Sequence, residues 1–169
     1  MRRRRRRWGF APVAGRGARR DIALEGGRAV LLDESYNASP VAVRAALEVL
    51  RLQRAARRVV VLGDMRELGA AGPSEHAGLA GAIDGVADVV FTCGALMRHA
   101  YDGIAATRRG AHAADSAALA PLVAAALRPG DAVLVKGSLG SRMKVIVEAI
   151  EAVAAGRGRP DGHLETRGC

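Results

Sequence analysis

With 169 residues, half of them apolar and 25% charged, the chain has the size and composition of one globular domain, which excludes wholesale disorder. Its formal charge of +9 is concentrated, because six of its 26 basic residues form the run Arg2 to Arg7 and the rest is only mildly basic. Two cysteines, Cys93 and Cys169, exclude a disulfide framework, and no apolar run approaches the ~20 residues of a membrane span, so a reducing, cytoplasmic setting is expected.

Residues 1–14 read as a basic tail or linker remnant, since six arginines, one glycine and one proline show little periodicity there. The apolar residues after the arginine run, Trp8 to Pro12, are too few for a secretory signal. A domain is expected over 15–154. It opens with an extended segment at 21–24, a turn at Gly26-Gly27 and a strand at 29–32, together a hairpin. Further strands are predicted at 59–62, 89–92 and 132–136, with a weaker one at 111–114. Their continuous apolar runs suit strands covered on both faces.

Between them the helical period predicts helices over 40–50, 74–83, 95–104, 116–127 and 142–153. In the first, Ser39 is placed to cap, Pro40 to open the helix, and Val43, Ala46, Leu47 and Leu50 to share the buried face. Strand and helix in alternation predict an α/β fold, a Rossmann-like doubly wound and mostly parallel sheet with helices on both faces. Residues 155–169, rich in Gly, Arg and Pro, read as a disordered tail.

In such a sheet, ligands gather at the carboxyl ends of the strands. Three polar, glycine-bearing loops follow three of the predicted strands: LLDESYNASP at 31–40, VLGDMRELG at 61–69 and VLVKGSLGSRM at 133–143. Asp33 in the first is placed to accept hydrogen bonds from ribose hydroxyls, and Tyr36 or Asn37 to face a purine. The same residue types also make a capped turn into a helix. In the third, Lys136 supplies a point charge, and Gly137 and Gly140 allow close backbone approach to an anion near a helix start. A tight turn with a solvated lysine fits those residues too.

Several chemistries are missing. Neither Lys136 nor Lys144 follows a glycine, so there is no Walker A loop, and Gly15-Arg16-Gly17 lacks the third glycine of a dinucleotide fingerprint. His76, His99, His112 and His163 are scattered, and no metal site is expected. His99 and His112 read as surface residues, while His76 lies near the second loop and is placed to face the rim. No nucleophile elbow is present.

These three loops, with Gly15-Arg16-Gly17, resemble in order and spacing the C-terminal domain of the Mur ligase family, over roughly residues 9–153. The SYN-bearing first loop and the GDM-x-ELG second loop resemble the branch that adds D-alanyl-D-alanine to UDP-N-acetylmuramoyl-tripeptide. The histidine-bearing first loop of related ligases is not present. The resemblance implies an ATP-dependent amide ligase of peptidoglycan precursor synthesis. There the carboxylate is phosphorylated and the dipeptide amine attacks the acyl phosphate. It also implies N-terminal and central domains as partners, the central one carrying the Walker A loop and most of the hold on Mg2+.

By that resemblance Arg16, Asp33, Tyr36 and Asn37 belong to the nucleotide side, with Asp33 at the ribose. Lys136, Gly137 and Ser138 belong to the incoming dipeptide, and Asp64, Glu67 and His76 to support of the rim; no catalytic residue is assigned. Ser39, Leu139 and Ser141 depart from the usual asparagine, arginine and methionine. The chain alone is expected to lack ligase activity and to bind ATP weakly. Two other readings are a stand-alone nucleotide-binding module and a nucleic-acid binder acting through Arg2 to Arg7, the latter opposed by the scarcity of aromatic residues for base stacking.

Overall fold

A computed structural model describes residues 15 and 17–156. The expectations for 1–14, for Arg16 and for the tail from 157 onward lie outside the described residues.

Strands β1 (Ala18–Leu24) and β2 (Gly27–Glu34) form an antiparallel hairpin, paired from Ala18↔Asp33 to Leu24↔Gly27. The two-residue turn is Glu25-Gly26, one position earlier than the sequence suggests, and Gly26 takes the positive φ (82°) that such a turn needs. Then come α1 (Pro40–Arg51), β3 (Arg57–Gly63), α2 (Gly72–Ala77), α3 (Ala80–Asp84), β4 (Val89–Cys93), α4 (Met97–Gly103), β5 (Arg109–Ala113), α5 (Ser116–Ala126), β6 (Asp131–Lys136) and α6 (Lys144–Ala154). The sheet order is β1-β2-β6-β3-β4-β5, and every pairing except β1 with β2 is parallel.

The apolar runs are continuous because β2, β3, β4 and β6 each feed two cores. Leu32, Val60, Leu62, Ala132 and Leu134 pack with α1, α3 and α4 on one face. Leu31, Val59, Val61, Val133 and Val135 pack with α5 and α6 on the other. Strand period two sends neighbours to opposite faces. Among the described residues no helix is long and apolar enough to cross a membrane.

The Ser39 hydroxyl accepts from Ala42 N at 3.2 Å, Pro40 opens α1, and Val43, Ala46, Leu47 and Leu50 are buried as expected. Three local expectations need correction. The helix expected over 74–83 is two short ones, broken at Gly78, whose missing side chain makes it a poor helix former. The helix expected from Arg142 starts at Lys144, because a 3₁₀ turn at Leu139–Ser141 intervenes and Arg142 leaves it with a left-handed φ of 51°. Finally, His99 is exposed but His112 is half-buried, its Nδ1 2.8 Å from Thr92 Oγ1. Burial and the nearby Arg98 charge hold the His112 imidazole below its ordinary range.

At the amino ends of the strands, Arg57 grips Asp131 through Nε at 2.9 Å and Nη2 at 2.7 Å, and burial leaves the carboxylate only 2% exposed. That bidentate hydrogen bond raises the Arg57 pKa against the opposing effect of burial. This pair braces β3 to β6 at the edge remote from the rim.

Candidate functional site at the carboxyl rim of the sheet

Parallel pairing brings the three polar loops to one edge. Glu34 and Lys136 are cross-strand partners, as are Lys136 and Leu62, and Gly63 pairs with Cys93. Asp33, Asn37, Asp64 and Lys136 therefore gather where β2, β6, β3 and β4 end.

The first loop is braced from within. Asp33 is 2% exposed. Its Oδ1 accepts from Ser35 N (3.1 Å) and Ser35 Oγ (2.6 Å), and its Oδ2 accepts from Gly15 N (3.2 Å) and Arg20 Nη2 (2.8 Å). Arg20 also pairs with Glu151 of α6. A carboxylate has about four acceptor directions, so a ribose hydroxyl reaching Asp33 would have to replace one of these donors. Tyr36 and Asn37 are exposed beside it, and Tyr36 N donates to the Gly15 carbonyl at 3.2 Å.

Lys136 is not the solvated charge of a simple turn. It is 4% exposed, and its Nζ donates to the Asn37 carbonyl at 2.9 Å and faces Glu34 Oε2 at 3.5 Å. The cation thus ties the third loop to the first.

The glycines of the third loop also serve the protein's own packing. A Cβ on Gly137 would lie 2.5 Å from Met143 Cγ, and one on Gly140 would lie 2.6 Å from Arg66 Nε. The 3₁₀ turn also moves the start of α6 beyond the glycines, so its amides do not adjoin them.

Ser138 joins all three loops. Its Oγ accepts from Arg66 N at 2.9 Å and points at the Ala38 carbonyl 3.5 Å away, and its N donates to the Asp64 carbonyl at 3.2 Å. Ser141 Oγ donates to the same Asp64 carbonyl at 2.8 Å. The Asp64 carboxylate accepts from Met97 N at 2.7 Å. It passes over Gly94, where a Cβ would come within 2.4 Å of it. Next to this junction is an open cleft of about 340 Å3, lined by Asp64, Arg66, Glu67, Leu68 and Leu96 among others. Glu67 on its lip is exposed and has a left-handed φ of 68°. His76 does not face the rim: it is fully buried beneath the second loop.

Residues 19–139 match the family model described as "Mur ligase, glutamate ligase domain". The chain belongs to this family. Among curated relatives, the UDP-N-acetylmuramoyl-tripeptide–D-alanyl-D-alanine ligase of Mycobacterium tuberculosis (strain CDC 1551 / Oshkosh) is 31% identical over 157 residues, covering 79% of this chain and 31% of that one. The ligase of the same name from Escherichia coli K12 is 36% identical over 126 residues, covering 72% and 27%. Among solved structures, the MurF ligase of Thermotoga maritima in complex with ADP superposes with a TM-score of 0.70 and 28% identity, over 88% of this chain and 33% of that one. The chain therefore spans about a third of the length of the relatives it matches, and the fold is that of a Mur ligase C-terminal domain.

Sequence reasoning overlooked Arg20, Glu34 and Met143. For Arg20 a signal existed. A two-residue hairpin pairs Ala18 with Asp33, and Arg20 is then the diagonal neighbour on the same face. The part played by Met143 had no such signal.

Proposed function

We propose that this chain provides the C-terminal domain of an ATP-dependent ligase that joins D-alanyl-D-alanine to UDP-N-acetylmuramoyl-tripeptide in peptidoglycan precursor synthesis. The observation that carries the reading is the convergence of three loops on one rim, stitched by Ser138 and Lys136, in a chain similar to ligases of that name.

In this reaction a carboxylate oxygen of the tripeptide attacks the γ-phosphorus of ATP and ADP leaves. The dipeptide amine, its proton lost, attacks the acyl carbon. The bond from that carbon to the phosphate oxygen breaks, phosphate departs, and the amide remains. Holding the reactants together and excluding water is the share of a closing domain.

Tyr36 and Asn37, with Arg16 at the domain boundary, would meet the nucleotide. Asp33 would serve that side by bracing Gly15 and Ser35. Lys136, Gly137 and Ser138 would frame the place of the dipeptide, and Asp64, Glu67 and His76 would support the rim. The phosphate cradle and the UDP site would come from central and N-terminal ligase domains. Among the described residues no group of three or more His, Cys, Asp or Glu could hold a metal ion. Mg2+ accompanying ATP would be held mainly by the central domain.

A chimera tests the reading. The C-terminal domain of the Mycobacterium tuberculosis ligase is replaced by this chain, and ligation is measured with ATP, the UDP-linked tripeptide and D-alanyl-D-alanine. Turnover by the chimera, with none from this chain alone, is expected. A folded chimera that binds ATP but never forms the amide would overturn it, as would turnover by the isolated chain.

A further inference from the structure

We infer that His76 is a positioning residue, a neutral imidazole held in one tautomer that sets the second rim loop against the third; its consequence for ligation rests on the function proposed above. The His76 side chain, on α2, is fully buried. Its Nε2 lies 2.9 Å from Met65 N, and its Nδ1 lies 2.6 Å from the Gly72 carbonyl. A backbone N–H only donates and a carbonyl only accepts. Nε2 must therefore carry the lone pair and Nδ1 the hydrogen.

That assignment makes the ring a rigid strut between the first turn of α2 and the middle of the loop. On either side of Met65 the loop is held from elsewhere: the Asp64 carbonyl by Ser138 N and Ser141 Oγ, the Asp64 carboxylate by Met97 N, and Arg66 N by Ser138 Oγ. The His76 bond falls between these anchors, on the α2 side. Without it Met65 N loses its partner in a site closed to water, since the Met65 side chain is also fully buried. Releasing Met65 would free Arg66 N to drift from the Ser138 hydroxyl, which joins the three loops.

The test uses the whole chain. Nitrogen-15 spectra of the histidine ring should show His76 protonated at Nδ1 and bare at Nε2. In His76→Phe, amide exchange at Met65 and Arg66 should quicken by about tenfold, the equivalent of one lost hydrogen bond, while Val59 and Ala132 on the strands stay protected. His76→Gln should restore protection, because its Oε1 reaches the place of Nε2. A ring protonated at Nε2, or unchanged exchange at Met65 in His76→Phe, would overturn the inference.

In the chimera, His76→Phe should raise the KM for D-alanyl-D-alanine and His76→Gln should return it; a KM unmoved by His76→Phe would overturn the link to ligation. If the unmutated chimera is inactive, the proposed function fails, while the ring spectra and amide exchange still decide the role of His76.

Discussion

Met143 fills the space that a side chain on Gly137 would need: an added Cβ would lie 2.5 Å from Met143 Cγ and 3.3 Å from the Gly63 Cα. Gly63 faces the same methionine, with its own Cβ position 2.5 Å from the sulfur. The second and third rim loops approach this closely because two glycines flank one buried side chain.

Gly137→Ala should therefore overpack this junction and cost about 1–3 kcal/mol. Met143→Ala removes a fully buried side chain and should cost about 2–5 kcal/mol. The double variant should be more stable than the sum of the two losses implies, since the new methyl enters the space vacated. Urea unfolding of the four proteins measures the coupling; strict additivity would show that the two residues do not share the space.

Lys136 and Glu34 should respond unequally to truncation. Lys136→Met leaves behind a Glu34 side chain that is 32% exposed and can be solvated, so a loss of about 1–2 kcal/mol is expected. Glu34→Ala leaves an ammonium that is 4% exposed with the Asn37 carbonyl but without its counter-charge, and a loss of about 3 kcal/mol is expected. The order of the two unfolding midpoints at pH 7 checks this, and the reverse order would contradict it.

Asp131→Ala should be among the costly substitutions in the chain, about 3–5 kcal/mol, because Arg57 and Arg128 N lose their partner in a buried place. Asp131 and Lys136 are five residue steps apart along β6, about 16 Å. Rim amides such as Met65 should keep their exchange pattern under conditions where the variant remains folded. Loss of stability without a change at the rim is the expected signature.

Cys93 should make the chain less stable in alkali. Burial, with the charges of Asp64 and Asp115, pushes its thiol up to about 12. An unfolded thiol titrates near 8.5. Between those values the unfolded chain binds fewer protons than the folded one. The Cys93 contribution is thus intact below the unfolded value and falls as pH rises, by up to about 1.4 kcal/mol per pH unit. In a Cys169→Ser background, Cys93→Ala should flatten the fall of unfolding free energy between pH 9 and 11 (roughly the window these values bound). An equal slope in both proteins would refute it.

The layered sheet was legible because both of its signals are local. Val59 to Leu62 and Ala132 to Val135 are apolar at every position, which only a strand covered on both faces tolerates, and the Ser39-Pro40 start of α1 carries its own cap. Period and capping act within a few residues, so one sequence suffices to read them. The 3₁₀ turn before α6 was less legible, since it depends on what the segment packs against.

The gathering of the site on one edge also followed from sequence, because parallel strands end on the same side. What each rim residue does was decided by tertiary structure. The hairpin register marks Arg20 as a neighbour of Asp33, but nothing near Asp33 in the chain announces that Gly15 N also donates to its carboxylate. Nothing near Lys136 announces that its ammonium turns inward to Asn37. Hydrogen-bond capacity is finite, and donors brought from distant parts of the chain determine whether a polar group is offered to a ligand or used to hold the protein together.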